Sequence, residues 1–264
     1  MAHYLVLLVC LVSLTACSTV PITGRSQLNL IPGSSMMSMS LQQYDQFIKE
    51  HKVSTNQEQT QMVKRVGGKI QNAVERYFAE KGQSQRLADY KWEFNLVEDK
   101  QVNAWCMPGG KVVVYTGLLP VAKNETGLAV VLGHEIAHAI AEHGNERMSQ
   151  GLLAQMGGVA LSTALSTKPA QTQQLWMAAY GAGAQYGAIL PYGRLQESEA
   201  DQLGLIFMAM AGYDPNEAVT FWERMAAQKG GQAPPEFLST HPSDATRIAN
   251  IKKLIPKAME YYKK

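Results

Sequence analysis

Two histidines, His134 and His138, stand four residues apart with Glu135 between them, inside a mostly apolar run from Leu128 to Ile140. On a helix this spacing places both imidazoles on one face, about one turn apart, so that they can bind a single ion. Two neutral imidazoles suit zinc, and an adjacent carboxylate can take a proton from a water that the metal acidifies. The pattern therefore predicts a helix that holds one Zn²⁺ ion, with Glu135 as the catalytic base of a metallopeptidase. The alternative is a pair of histidines that only fill polar positions in a protein core.

A zinc site that keeps one position open needs a third protein ligand. A metzincin arrangement is excluded, because Ala141 stands where that pattern has glycine and His143 comes one residue before its third histidine. We interpret His143 as a helix-end residue. The remaining arrangement takes a glutamate from a later helix, and Glu197 and Asp201, four residues apart, share one helix face. One of them can bind the metal while the other orients a ligand histidine. The alternative is an acidic, solvated helix start.

Three motifs, in a fixed order along the chain, carry a resemblance to a known family: His134 to His138, the Glu-x-Glu-Ala-Asp stretch from Glu197 to Asp201, and Ser239-Thr240-His241-Pro242 with Arg247. They resemble the gluzincin family that includes the CAAX prenyl protease and the HtpX heat-shock protease. The resemblance extends from about residue 20 to residue 255. Among the branches, it is greatest to the lipid-anchored periplasmic members of Gram-negative bacteria and to the related mitochondrial inner-membrane protease.

The resemblance implies a mainly helical α+β fold, a zincin-like metallopeptidase domain with a small β-sheet beside the active-site helix. It implies that Glu197 is the third ligand of one Zn²⁺ per chain, alongside the two motif histidines. It also places His241 at the active site, where this residue either stabilises the transition state or gates the metal. Asp201 is expected to orient a ligand histidine, whereas Arg247 either pairs with a carboxylate near the site or lies in solvent.

The N-terminal residues have the features of a secretion signal. Residues 1–16 contain no Lys, Arg, Asp or Glu, and an apolar run covers residues 4–14. That length is typical of a signal-peptide core and is too short to span a bilayer. The run leads into Cys17 through a sequence that resembles the lipobox of bacterial lipoproteins, so residues 1–16 are predicted to be cleaved and Cys17 to carry lipid. Only His3 stands where a positive n-region is usual, and a short uncleaved anchor is the alternative.

The residues after Cys17 predict a location and a domain boundary. Ser18 resembles the class of lipoproteins that is sorted to the outer membrane, which predicts a periplasm-facing protein of a Gram-negative bacterium. Residues 17–34 contain two Pro, two Gly, three Ser and one Asn and are interpreted as a linker, followed by a single domain from 35 to 264. With 24 basic and 22 acidic residues, the charge is balanced and no nucleic-acid partner is expected.

The hydrophobic period changes from helical to alternating between residues 90 and 116, which predicts two or three short strands. Within them, Asn103, Ala104 and Trp105 resemble the family's strand at the rim of the cleft. An edge strand at that place can bind an extended substrate through main-chain hydrogen bonds. An ordinary hairpin is the alternative. Cys106, which follows, is interpreted as a small core residue rather than a nucleophile.

Helices are predicted over residues 35–52 and 58–81, packed around the catalytic helix, for which Asn124 is a candidate N-cap. Residues 151–166 are apolar but short of a membrane span, and are interpreted as a packing helix. Residues 229–240 contain two Gly and two Pro and are predicted to form a loop over the cleft that leads into His241.

Together these features predict a zinc-dependent metalloendopeptidase of the bacterial cell envelope. By resemblance, its substrates are misfolded or misassembled envelope proteins, with outer-membrane barrel proteins among them, and it meets the membrane through its lipid anchor. A second hypothesis is a chaperone-like outer-membrane assembly lipoprotein with a gated or structural metal site. A third is a lipoprotein scaffold without metal.

Overall fold

The structure is a computed structural model that describes residues 17–228, 237, 241 and 245–262. The predicted signal peptide, residues 1–16, lies outside the described residues, as does most of the predicted loop 229–240.

Helices dominate the fold, and nine of them are numbered here: α1 (Gly33–Glu50), α2 (Gln57–Glu80), α3 (Leu119–Ala122), α4 (Glu125–Ile140), α5 (His143–Leu165), α6 (Ala170–Ala184), α7 (Leu190–Met210), α8 (Glu217–Ala227) and α9 (Ala245–Met259). The strands are β1 (Cys17–Thr19), β2 (Ser26–Leu28), β3 (Glu93–Val97), β4 (Ala104–Met107) and β5 (Lys111–Tyr115). Short helical turns cover Ser84–Leu87, Thr116–Leu118 and Gln185–Ile189. The predicted mainly helical α+β fold class is confirmed.

The described residues form two compact units, and the single domain expected over residues 35–264 stays a prediction. Within the described part of the chain, unit 1 joins the residues up to Met36 with Glu142–Glu197, and unit 2 joins Met37–Ala141 with the residues from Ser198 onward.

The sheet of unit 2 has β5 as its central strand, parallel to β3 and antiparallel to β4. All residues of β5 are buried, and its run of three valines supplies the β-branched side chains that a covered strand favours. Strand β4 therefore lies at an edge of this sheet. Three strands between residues 90 and 116 agree with the sequence-based prediction.

Helix α4 is buried along its length, with every residue from Gly127 to Ile140 shielded from solvent. It packs against α2, β4 and α8. An all-round apolar sequence explains this position, because such a helix has no face to turn to water. Any polar side chain on α4 must therefore find its partners inside the protein.

Two glycines let helices α4 and α7 approach at backbone distance. A Cβ atom on Gly133 would lie 2.7 Å from the carbonyl oxygen of Gly204, and a Cβ on Gly204 would lie 2.8 Å from the backbone nitrogen of His134. Real Cβ atoms do not approach that closely, so only glycine fits at both positions. The close approach sets the position of His134 on α4 relative to the residues of α7.

The hydrophobic spacing of α2 predicts a buried stripe of Met62, Val66, Ile70, Val74 and Phe78. The last four are buried, but Val63 is buried in place of Met62. Gly67 lies within this stripe, where an added Cβ would clash with the ring of Phe94. Gly67 thus makes room for the sheet to pack on α2.

Unit 1 differs from the predicted linker, since residues 17–34 contain the antiparallel pair β1 and β2 and contact α5. Arg25 donates to both carboxylate oxygens of Glu146 at 2.7 and 2.8 Å, and Glu146 is 1% exposed. The amide N–H of Leu30 donates to the hydroxyl of Ser149 at 2.9 Å. These buried polar partners on α5 explain why a Pro- and Gly-rich segment is ordered.

The predicted packing helix 151–166 falls within α5, but most of its large side chains are exposed rather than packed. Across the described part of the chain, no helix has both the length and the apolarity that crossing a membrane requires.

Candidate metal centre

Helix α4 begins as predicted, with the side-chain oxygen of Asn124 accepting from the amide N–H of Gly127 at 2.9 Å. This cap satisfies one of the free N–H groups of the first turn. The helix ends at Ile140, so His143 does not close it. His143 instead begins α5 and is fully buried, which corrects the helix-end interpretation.

His134 and His138 are 2% and 5% exposed, and their Nε2 atoms lie 3.1 Å apart. Two nitrogens that are each about 2.05 Å from a tetrahedral zinc lie about 3.3 Å apart, so this spacing fits a shared ion. Ligand atoms of His134, His138, Glu197 and His241 all lie within 4.8 Å of one another. Nitrogen and carboxylate donors in this number are the set that zinc prefers. The residues present therefore fit the metal that the sequence predicted.

Asp201 and Arg247 fix the orientation of His134. The Nδ1 atom of His134 lies 3.0 Å from Asp201 Oδ1, which leaves Nε2 to face the cluster. Arg247 donates to both oxygens of Asp201, at 2.7 Å from Nη2 and 2.9 Å from Nε. The structure thus places Arg247 against a carboxylate beside the site, not in solvent, and it is 8% exposed.

The Asp201 carboxylate carries its negative charge in this buried place. Burial opposes ionisation, but the positive charge of Arg247 and the hydrogen bond from His134 outweigh it and lower the pKa of Asp201 below its usual value. An ionised acceptor holds the His134 Nδ1 proton more firmly than a neutral one. The result is a ligand histidine with a fixed tautomer.

Glu135 lies on the same helix and is 4% exposed, with Oε1 3.4 Å from Nε2 of His241. Burial, and secondly the charge of Glu135, raise the pKa of the Cys106 thiol well above its usual value. Cys106 therefore stays protonated near Glu135, which agrees with a packing role rather than that of a nucleophile.

His241 is held between the motif histidines and a residue that the sequence did not single out. Its Nδ1 atom lies 3.1 Å from His134 Nε2, and its amide N–H donates to the carbonyl oxygen of Phe237 at 2.8 Å. Phe237 is fully buried, and its ring stacks on Trp222 with centroids 5.8 Å apart. Phe237 thus supports His241 through this main-chain hydrogen bond.

Trp222 on α8 packs against Arg247 and His134, and sequence reasoning did not single it out either. The Arg247 guanidinium lies 3.6 Å from the centroid of its ring, a cation–π contact, and His134 meets the ring edge-on at 6.1 Å. A large aromatic residue on an amphipathic helix gives no local signal of such a role.

The predicted substrate strand is β4, which is an edge strand as that prediction requires. The Trp105 ring packs edge-on against Phe47, with centroids 4.9 Å apart, and Ala104 is buried. The carbonyl oxygen of Asn103 accepts from the amide N–H of Tyr115. Ala104 and Trp105 thus pack against the rest of unit 2, and substrate binding by this strand stays a prediction.

A mainly helical domain with two histidines and a glutamate on one buried helix, and a further glutamate on a later helix, defines a metallopeptidase. The sequence profile of peptidase family M48 matches residues 65–255, and the chain belongs to this family.

Relatives in this family come from mitochondria and from bacteria. The chain is 41% identical to the mitochondrial metalloendopeptidase OMA1 of Schizosaccharomyces pombe over 174 residues, which cover 65% of this chain and 49% of that protein. It is 31% identical to the mitochondrial metalloendopeptidase OMA1 of Bos taurus over 247 residues, 91% of this chain and 46% of that protein. It is 36% identical to the beta-barrel assembly-enhancing protease of Yersinia pestis over 165 residues, 61% of this chain and 34% of that protein. The chain thus spans half or less of the length of these relatives.

Proposed function

We propose that this chain is a zinc-dependent metalloendopeptidase of the bacterial cell envelope. The observation that carries the proposal is the convergence of ligand atoms from His134, His138 and Glu197, with Glu135 buried beside them. Membership of family M48 supports the same chemistry.

The three ligand residues would hold one Zn²⁺ ion. The contact with Asp201 would orient the His134 imidazole toward it. When bound, zinc supplies Lewis-acid polarisation of the scissile carbonyl and acidifies water to a pKa of about 7. Glu135 takes the proton of the attacking water and passes it to the leaving amine. Glu135 is 4% exposed, so bulk water has little access to the carboxylate that takes this proton.

His241 has a role at the same site. Its Nδ1 atom lies at hydrogen-bond distance from the Nε2 atom of His134, where it competes with an ion for the ligand atoms. This position supports a gating role for His241. Movement of His241 toward the substrate would let it donate to the developing oxyanion instead.

The proposed substrates are misfolded or misassembled envelope proteins, outer-membrane barrel proteins among them. A relative named for beta-barrel assembly supports this choice, as does the edge strand β4, which suits an extended and unfolded segment. The proposed location is the periplasmic face of the outer membrane, with lipid on Cys17. We also propose that the chain is related to the CAAX prenyl protease and to the HtpX protease.

The proposal is tested by incubating residues 18–264 with casein, beside the Glu135→Gln variant, with bound zinc quantified in both. Zinc in both proteins and cleavage only by the parent is the expected result. Cleavage by the variant at the parental rate would overturn the role of Glu135, and absence of zinc from the parent would overturn the metal site.

A second candidate function is a chaperone-like assembly lipoprotein with a gated metal site, which the position of His241 among the ligands favours. If both proteins bind zinc and neither cleaves casein, this function replaces the first.

A further inference from the structure

One segment of unit 1 carries an unusual concentration of exposed apolar side chains. Among the described residues, the exposed large hydrophobic side chains all lie between residues 148 and 195. We define them as the apolar face: Met148, Leu152, Leu153, Met156, Val159, Leu175, Trp176, Tyr186, Leu190, Tyr192 and Leu195. Exposed large apolar side chains concentrated in one segment mark a candidate interaction surface.

On α5, the spacing of the exposed apolar residues places them along one side of the helix. Leu152, Met156 and Val159 follow one another at four and three residues, which is one side of a helix. Their exposed fractions are 42%, 59% and 62%, so this apolar stripe faces outward. A surface helix ordinarily turns such a stripe toward the core.

The charge pattern indicates which kind of partner fits. Lys168, in the connection between α5 and α6, is the single charged residue between Arg147 and Arg194, and no acidic residue occurs between them. Helix α2, by contrast, carries acidic and basic side chains along its exposed side. A segment without acidic residues, with Lys168 inside it and Arg147 and Arg194 at its ends, suits the anionic headgroups of a lipid bilayer.

A cavity of about 680 Å³ adjoins the same face, and Leu28, Leu153 and Tyr192 are among its lining residues. Leu28 pairs across the β1–β2 ladder with Cys17, the predicted site of lipid attachment. The apolar face is therefore continuous with the part of unit 1 where the chain would leave a membrane.

We propose that the apolar face of α5, α6 and the start of α7 lies on the surface of a phospholipid bilayer, with its side chains at the boundary of headgroups and acyl chains. Trp176, Tyr186 and Tyr192 belong to the residue types that prefer this depth, because their rings are apolar and their polar atoms meet water. Association of this kind depends on buried apolar area and on attraction to anionic lipid. The argument from Cys17 rests on the proposed function, whereas exposure and charge stand without it.

The test uses the full chain with Cys17→Ser, so that no acyl chain on that residue contributes, and residues 1–16 are common to all proteins compared. The probe is flotation with vesicles of phosphatidylethanolamine and phosphatidylglycerol. In this background the variant Met156→Gln/Val159→Gln/Trp176→Gln makes the apolar face polar without changing charge. The matched control, Gln155→Ala/Gln171→Ala/Gln174→Ala, changes three exposed polar residues on the same two helices.

We expect the parent and the control to float with the vesicles and the apolar-face variant to lose at least tenfold in partitioning. Equal flotation of the variant and the parent would overturn the proposal, as would a parent that does not float. A parent dimer that the variant converts to monomers, without any difference in vesicle binding, would assign the face to a second copy of the chain. Casein cleavage measured without vesicles tests the proposed peptidase function separately, because flotation does not depend on catalysis.

A gentler substitution guards against a variant that fails to fold. Phospholipids with brominated acyl chains quench a tryptophan only at close range, so they should quench the emission of the parent more than that of Trp176→Phe. Equal quenching of the two proteins would contradict burial of Trp176 in the bilayer.

Discussion

The two ring nitrogens of His134 have different neighbours, and this difference determines what the residue can do. Nδ1 lies 3.0 Å from Asp201, while Nε2 lies 3.1 Å from both His138 Nε2 and His241 Nδ1. Donation from Nδ1 to a carboxylate leaves the Nε2 lone pair for a metal. Metal affinity at this centre thus depends on residues that do not themselves bind the metal.

Asp201→Asn should lower zinc affinity by about 10- to 100-fold, because the amide is a weaker acceptor for His134 and leaves Arg247 without its charged partner. The loss of that partner should also lower stability by about 3–5 kcal/mol, since the guanidinium stays buried. A chelator competition assay measures the affinity, and urea unfolding measures the stability.

Glu223→Gln is the control, because this carboxylate is half exposed and forms a long ion pair with Lys252 at 3.8 Å. Such a pair contributes about 0–1 kcal/mol. Zinc affinity of Asp201→Asn within twofold of the parent would show that Asp201 does not orient the ligand.

His241→Ala should keep zinc and cleave casein several-fold faster, because removing the imidazole takes a competitor away from His134 Nε2. The measurement is the initial rate at saturating zinc, with bound metal quantified. A fall of about 10²- to 10³-fold in the rate, with zinc retained, would instead identify His241 as an oxyanion donor.

At the scale of elements, the site depends on how closely α4 and α7 approach each other. Gly204→Ala places a methyl group 2.8 Å from backbone atoms of Gly133 and His134, which cannot move aside as a side chain can. The helices must separate, so we expect a loss of about 1–3 kcal/mol in stability together with weaker zinc binding. Thermal unfolding and the chelator competition assay measure the two effects.

Gly68→Ala on α2 is the matched control, since nothing lies within 4 Å of the added Cβ. It should stabilise the protein by about 0.5–1 kcal/mol through helix propensity. If Gly204→Ala and Gly68→Ala changed stability and zinc affinity equally, the close approach of α4 and α7 would not require glycine at position 204.

The start of α4 is attached to its neighbours through Glu125. Arg65 of α2 donates to Glu125 Oε1 at 2.7 and 3.0 Å, and the Tyr213 hydroxyl donates to Oε2 at 3.1 Å. The bond from Arg65, followed by that from Tyr213, lowers the pKa of Glu125 although burial opposes it. A lowered pKa in the folded state means that this contribution is complete above the unfolded value of about 4.3 and is lost as pH falls through the folded value.

Glu125→Gln should therefore cost stability at pH 7, and the cost should shrink toward pH 3 as the parental carboxylate is protonated. The cost at neutral pH should be about 0.2–1 kcal/mol, because Arg65 is more than half exposed. Urea unfolding of both proteins across this range measures the difference. A difference that does not change with pH would show that the charge of Glu125 does not contribute.

Sequence patterns predicted those elements whose causes are local. Helix α4, its Asn124 cap and the stripe of α2 follow from residue spacing, and the sheet follows from alternation between residues 90 and 116. Trp222 and Phe237 could not be predicted, because each acts through contacts with residues distant in the chain. The placement of Glu197 with the ligands and Asp201 beside His134 likewise needed the relative rotation of two helices, which the spacing leaves open.

At the scale of the whole molecule, the division into two units had no counterpart in the sequence. Residues 17–34 have the composition of a linker, but buried partners such as Glu146 order them on α5. The exposure of the apolar stripe on α5 could not be predicted for a related reason. Periodicity identifies an apolar helix face without showing what covers it. Composition therefore predicts a segment's tendencies, whereas its partners determine its structure.

The metal should contribute to the stability of the whole chain, because its ligand atoms come from α4, α7 and the residue His241 before α9. A ligand that binds only the folded state stabilises it in proportion to the logarithm of its concentration over Kd, by about 2.7 kcal/mol at a hundredfold excess. For a chain of this size, removing zinc with a chelator should lower the Tm by about 5–10 °C. His138→Ala should start at the lower Tm and show no further change with chelator. An unchanged Tm in the parent, after metal analysis shows that zinc has left, would mean that zinc does not link these segments in the folded state.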